Sequence, residues 1–414
     1  MFRIYFRLAG LVKKGGAMPS ISGIIDLLGK LESPLVTVHQ ERCIMVRNRN
    51  ANCLRCAEAC TSGCISFDGE QLTISPERCI GCGTCATACP TCCLEARNPN
   101  DAQLLNECLA GVQRTEGTAI IACGEFLDRA RGLFDPDKVA RVECLGRVEE
   151  SLLSEILAQG VEDIVLVHGA CASCEHATGR AAVEDVLETE RRLLEAWDIT
   201  GMSVRLASKL PGKARAQGVS YDTERRDAFK QGGESLRHIG AVAAGAALGD
   251  ASDDESGSDT AKQRYAKVMD DGTLPHFIPD RRERLLDALA SLGEARDVEV
   301  NTRLWGHVSI DTDLCESCRM CAVFCPTGAL RKFDADDGTF GVEHYPGDCV
   351  KCRCCESICP ADAITISDEV LASDVLKGTT EIYEMKEPAV KKGEAHTIWK
   401  TAKLFTNTTQ VYER

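Results

Sequence analysis

The chain has 414 residues, a formal net charge of −15 and 25 cysteines. Its length allows two to four compact domains, and its acidity argues against nucleic acid, whose phosphates need a basic face. No run approaches the roughly 18–20 apolar residues of a membrane span, which excludes an integral membrane helix from the sequence reading.

The chain opens with "MFRIYFRLAGLVKKGGAMPS", basic residues around a short apolar stretch, without the apolar core of a signal peptide. Met18 offers an alternative start, and residues 1–41 read as an N-terminal segment. Crowded thiols point to a reducing compartment, so the protein reads as cytoplasmic, with peripheral membrane association left open.

Residues 42–97 form the first dense cysteine block, with Cys53, Cys56, Cys60 and Cys64 followed by Cys79, Cys82, Cys85 and Cys89. The separator "ISFDGEQLTISPER" alternates around Asp68–Gly69, a hairpin signal. Residues 98–210 change texture. "TAIIAC", "VARVEC", "DIVLVHGAC" and "SVRLAS" read as short buried strands, and helical spacings such as Leu152, Leu153, Ile156 and Leu157 fall between them. This alternation predicts a small parallel sheet covered by helices. Cys123, Cys144 and Cys171 fall at or just past the carboxyl ends of predicted strands, with Cys174 close behind. Those ends share one edge of a parallel sheet, where ligands bind. Four thiols there suit a 2Fe–2S cluster, a redox-active thiol pair or a merely structural role. His168 and His176 flank the same edge and read as surface or supporting residues.

Residues 211–302 read as a linker region, with "GAVAAGAALGDASDDESGSD" at 240–259 and an amphipathic helix over 281–293 carrying Leu285, Leu289 and Leu292. The second dense block, 303–372, holds Cys315, Cys318, Cys321 and Cys325, a hairpin around Asp336–Asp337–Gly338, and Cys349, Cys352, Cys355 and Cys359. Residues 373–414 form a tail without cysteine.

Thiolate clusters select zinc, copper(I) or iron–sulfur centres. Disulfides need an oxidising compartment, and zinc knuckles stand as separated CxxC pairs. The run C-x2-C-x2-C-x3-C-P occurs unbroken three times, ending at Pro90, Pro326 and Pro360, and is the spacing of 4Fe–4S sites. The first motif departs from it, with one extra residue and Ile65 in place of proline, which leaves a three-iron form open. Cys43, Cys92, Cys93, Cys108 and Cys354 read as small buried hydrophobes.

With these motifs both blocks resemble bacterial two-cluster ferredoxins. The resemblance implies crossed ligation: Cys315, Cys318 and Cys321 with Cys359, and Cys349, Cys352 and Cys355 with Cys325. In the first block it implies Cys53, Cys56 and Cys60 with Cys89, and Cys79, Cys82 and Cys85 with Cys64. The segments "ACGEF", "VECLGRVEESLLSEILAQGVEDIVLVHGAC" and "CEHATG" resemble the delta subunit of methyl viologen-reducing hydrogenase. That family links hydrogenases or formate dehydrogenases to heterodisulfide reductases and carries a 2Fe–2S cluster. Here only Cys123 stands where the family has two nearby cysteines, and Cys171 and Cys174 are closer together than its last pair.

The expected fold class is thus two α+β ferredoxin-like domains flanking a small α/β domain with a parallel sheet. No nucleotide-binding glycine fingerprint or P-loop is present in the sequence. The expected function is an electron-transfer subunit with four 4Fe–4S clusters and a candidate 2Fe–2S cluster. Its partners would be a catalytic redox subunit and an acceptor protein in anaerobic metabolism. The alternative is a redox enzyme that reduces a disulfide at the middle-domain cysteines.

Overall fold

A computed structural model describes residues 35–216, 269, 272–378 and 381–386. The N-terminal segment up to 34, the alanine- and glycine-rich stretch at 240–259 and the end of the tail lie outside the described residues.

The first cysteine block pairs its first and last strands, β1 (Val36–Val38) and β4 (Leu94–Ala96), antiparallel around an inner hairpin, β2 (Ile65–Phe67) and β3 (Leu72–Ile74). The hairpin turns at Asp68, whose Oδ1 accepts from the Glu70 and Gln71 amides, with Gly69 at φ +101°. The block therefore begins before the expected boundary at 42. Three residues are too few for periodicity to reveal, and their partner strand lies far along the chain.

The middle domain has the parallel order β6-β5-β7-β8, with β5 Thr118–Cys123, β6 Ala140–Val142, β7 Asp163–Val167 and β8 Ser203–Ala207. Alternate residues of β5 enter two cores. Ala119, Ile121 and Cys123 face helices Asp101–Val112, Glu150–Ala158 and Gly179–Ala196, while Ile120 and Ala122 face Leu127, Val139 and Ala214. Helix Asp101–Val112 starts on a capping box between Asn100 and Gln103.

Helix Asp280–Leu292 forms where expected, with Asp280 and Glu283 in its first turn and Gly293 ending it at φ +138°. It is no free linker, because it packs against helix Glu150–Ala158 of the middle domain. Beyond it, β9 (Glu299–Asn301) pairs with β14 (Glu369–Leu371), closing the second block from outside its expected start at 303. Within that block β10 (His307–Ile310) pairs with β13 (Ile364–Ser367) around the hairpin β11 (Leu330–Asp334) and β12 (Phe340–His344). The tail contributes as well: β15 (Glu381–Glu384) extends this sheet along β12.

Buried charge ties these parts together. Arg281 donates to Asp101 (3.0 Å) in the middle domain and to the Ala86 carbonyl (3.0 Å) in the first block. Arg147 pairs with the same aspartate, and Arg284 reaches Asp101 and Glu149 at 3.5 Å each. Arg303 holds the buried Glu150 at 2.6 Å and the Thr87 carbonyl at 2.9 Å. Burial alone would raise the Asp101 pKa, but Arg281, Arg147 and Arg284 hold it well below the usual carboxylate range.

Glu190 contrasts with these paired acids. It lies buried between helices, 3.1 Å from the Ser154 hydroxyl, and its pKa is pushed up to about 8 by burial and then by Glu150. The folded state thus keeps its proton while the unfolded chain loses it near pH 4, so this contribution to stability is full in acid and fades as pH rises towards 8. Glu190→Gln is expected to leave stability unchanged near pH 4 and to raise it by roughly 2–3 kcal/mol near pH 7. Melting curves of variant and parent across that range check this; a constant gap would contradict it.

Candidate metal centres

The three unbroken cysteine runs share one local geometry. Cys79, Cys315 and Cys349 each lie five residues after a strand, β3, β10 and β12. Cys85, Cys321 and Cys355 are each the second residue of a short helix, Thr84–Ala88, Met320–Phe324 and Cys354–Ile358. Cys89, Cys325 and Cys359 then cap those helices, five residues before β4, β11 and β13. Each loop carries two left-handed residues between its cysteines: Gly81 and Gly83, Ser317 and Arg319, Lys351 and Arg353. Successive turns of this kind aim backbone N–H groups at one point, as anion-binding nests do. A further left-handed residue follows each fourth cysteine by three positions, at Cys92, Gly328 and Asp362.

In the second block the thiols meet across the two loops. Burial raises the Cys321 pKa first, and Cys318, Cys315 and Cys359 add to it. Burial likewise raises Cys355 well above the ordinary thiol range, with Cys352, Cys349, Cys325 and Cys321 adding. The thiols of the two loops thus share one core, with Cys359 near Cys321 and Cys325 near Cys355. Clustered buried thiols repel as anions, and a soft multivalent centre relieves that cost, so this donor set fits an iron–sulfur cluster. In the first block Cys85 is raised by burial and then by Cys82, Cys56, Cys79 and Cys60.

The first loop of the first block does not repeat the register read from the sequence. Cys56 is the second residue of helix Arg55–Glu58, and Cys60, rather than Cys64, lies five residues before β2. Cys43, given no role by sequence spacing, follows β1 by five residues and touches Cys93 with its thiol. Its distance from the preceding strand is the signal that motif spacing hides. Cys92 and Cys93 are buried, as are Cys108 and Cys354.

In the middle domain, Cys123 ends β5, and Cys144 and Cys171 follow β6 and β7, so the parallel sheet brings them to one edge with Cys174. Backbone amides donate to three of these sulfurs: Gly169 to Cys123 (3.2 Å), Gly146 to Cys144 (3.4 Å) and His176 to Cys174 (3.5 Å). The Cys144 thiol is pushed up to about 12 by burial first, with Cys82, Cys123 and Cys174 contributing. Gly179 starts its helix against Cys144, where any side chain would collide with the sulfur. The four thiols line one cleft at this edge. His168 and His176 line it, His168 turning its Nδ1 to the Gly169 carbonyl (2.8 Å).

The cysteine loops also abut one another. The Cys144 loop packs on the Cys82 loop of the first block, with Gly146 against Thr84 and Arg147 against Gly83. On the opposite side Ile44, Ala51, Met45 and Cys53 pack against Met320, Phe324, Cys318, Cys352 and Cys354 of the second block. Apart from cysteines, His307, His344 and Glu381 bring ligand atoms within 4.8 Å of one another. Burial first, and His307 second, lower the His344 pKa to about 3, so this imidazole is neutral at ordinary pH.

Among the described residues, no helix is long and apolar enough to cross a membrane. No curated protein and no solved structure matches the chain. Family models do match parts of it: a 4Fe–4S binding domain over residues 72–91, the delta subunit of methyl-viologen-reducing hydrogenase over 134–217, and a 4Fe–4S dicluster domain over 314–363. The chain thus carries 4Fe–4S ferredoxin-type domains on both sides of a domain similar to that hydrogenase subunit.

Proposed function

We propose that this chain is an iron–sulfur electron-transfer subunit whose sites lie in single file from the middle domain through the first block to the second. It would hold four 4Fe–4S clusters and a 2Fe–2S cluster at Cys123, Cys144, Cys171 and Cys174. Its partners would be a catalytic oxidoreductase of the hydrogenase, formate dehydrogenase or heterodisulfide reductase type and an acceptor protein. The observation that carries this reading is the serial packing of cysteine loops, the Cys144 loop on the Cys82 loop and the Cys53 loop on those of Cys318 and Cys352.

Such centres, when bound, take up and release single electrons with their cysteine ligands in place. The protein's own part is spacing, burial and hydrogen bonding. Hydroxyls two residues past a cysteine lie near its sulfur at Ser62 (3.5 Å), Thr91 (3.6 Å) and Thr327 (3.9 Å). Hydrogen bonds of this kind raise a reduction potential, whereas the net charge of −15 lowers it. Cys359 has alanine at that position, so its site loses one such donor and would have the lower potential. The packing of the Cys144 loop on the Cys82 loop supports a relay over an enzyme that reduces a disulfide there. A cytoplasmic setting suits this reading, since it keeps the thiolates reduced.

Anaerobically purified protein is expected to contain about 18 irons with matching acid-labile sulfide, or about 16 without the middle-domain cluster. Zinc in their place would overturn the proposal. Cys144→Ser is expected to remove about two irons and to slow electron delivery while the signals of both ferredoxin-type blocks persist. Unchanged iron content and rates in Cys144→Ser and Cys171→Ser would remove the middle domain from the path.

Apo-protein is expected to lose order first in the cysteine loops of both blocks, while the β5-centred sheet, with its own apolar core, stays folded. Hydrogen exchange on apo-protein checks this. Equal protection throughout would contradict it.

A further inference from the structure

The first loop of the first block differs from the other three, and its backbone shows how. Cys60 occupies the place of Cys89, Cys325 and Cys359. It lies five residues before a strand, Gly63 repeats the left-handed residue three positions on, and Ser62 repeats the hydroxyl at its sulfur. The amide four residues on also donates to the sulfur in three of the four loops: Cys64 to Cys60, Cys93 to Cys89 (3.3 Å) and Ala363 to Cys359 (3.3 Å). Cys64 therefore stands where the other loops have Cys93, Ala329 and Ala363, none of which is a motif cysteine.

Counting back, Cys56 and Cys53 match the third and second positions of the other runs. The first position would fall at Asn50, but the residue five places after the strand is Cys43. Its amide bonds to the Gln40 carbonyl in a single 3-10 turn, as the Cys349 amide does to Pro346. The pseudo-twofold relation of the halves repeats the match. Cys64 lies against Cys60 (3.5 Å) and near Cys79, and Cys93 lies against Cys89 and Cys43. Cys43 is thus to one half what Cys79 is to the other.

We infer that Cys43, and not Cys64, supplies the first ligand of this loop, giving C-x9-C-x2-C-x3-C and the crossed sets Cys43, Cys53, Cys56 with Cys89 and Cys79, Cys82, Cys85 with Cys60. This rests on the reading that the first block holds two clusters. Residues 44–52, which separate Cys43 from Cys53, have work of their own. Asn48 donates to the Ser357 hydroxyl (2.9 Å), Arg47 to the Pro275 carbonyl (3.1 Å), and Ile44 and Ala51 pack on Phe324 and Ile358. The loop is long because it carries the contact between the blocks, and the ligand stays at its base.

The test compares Cys43→Ala, Cys64→Ala and Cys53→Ala in the full chain, purified anaerobically, by iron and sulfide content and by the electron paramagnetic resonance of the reduced protein. Cys43→Ala and Cys53→Ala are expected to lose the same signal and up to about four irons each. Cys64→Ala is expected to keep the full complement, with shifted signals from the site around Cys60. Loss of a cluster in Cys64→Ala, or full retention in Cys43→Ala, overturns the assignment. Should Cys43→Ala not accumulate, the iron content of Cys64→Ala decides alone. Wild-type protein without iron, or Cys53→Ala with its full complement, would instead refute the cluster reading itself.

Discussion

The buried ion cluster around Asp101 holds the first block, the middle domain and helix Asp280–Leu292 in one arrangement. It joins a middle-domain aspartate to Arg281 and Arg284, which arrive from beyond residue 216, and ties them to backbone of the first block. Burying so many charges costs several kcal/mol per ion before pairing returns it, so such a cluster adds little net stability. What it supplies is a single arrangement, because any shift would strand a charge away from water. Arg147 is three residues from Cys144 and packs against Gly83, next to Cys82. The salt bridges therefore set the spacing between the middle-domain thiols and the first block.

Packing completes what charge begins. Gly146 admits Thr84 and the start of helix Gly179–Ala196 at a distance no side chain would permit. That close approach brings the sheet edge with its four cysteines onto the loop that holds Cys82. On the far side the contact is apolar, with Phe324 and Met320 of the second block covering Ile44. Apolar, sulfur-rich contacts of this sort lower the effective dielectric between the cysteine loops, which strengthens electrostatic coupling across them.

The cysteine loops and the middle sheet were legible in the chain because their signals are local. Three runs of four cysteines carry their spacing within eleven residues, and the hydrophobic strands β5 and β7 announce a parallel sheet whose edge collects Cys123, Cys144 and Cys171. What could not be read depends on distance. β1 is three residues long, and its meaning comes from pairing with β4. Cys43 is separated from Cys53 by an interval that breaks every motif, while Cys64 falls by coincidence at a plausible spacing. The ion cluster joins positions about 180 residues apart, and no local pattern marks Asp101 for Arg281. The helix over 281–293 could be read from its leucines, but not which partner it would cover.

The excursion at residues 44–52 has one more consequence. Two blocks built on the same plan could stack in either order, since each presents similar loops at both ends. Only the first carries this projection, and only the second has the matching surface at Phe324, Ser357 and Ile358. The duplication has thereby acquired a head and a tail. An arrangement of two similar blocks gains two unlike ends, the sheet edge of the middle domain at one and the β11-β12-β15 sheet at the other.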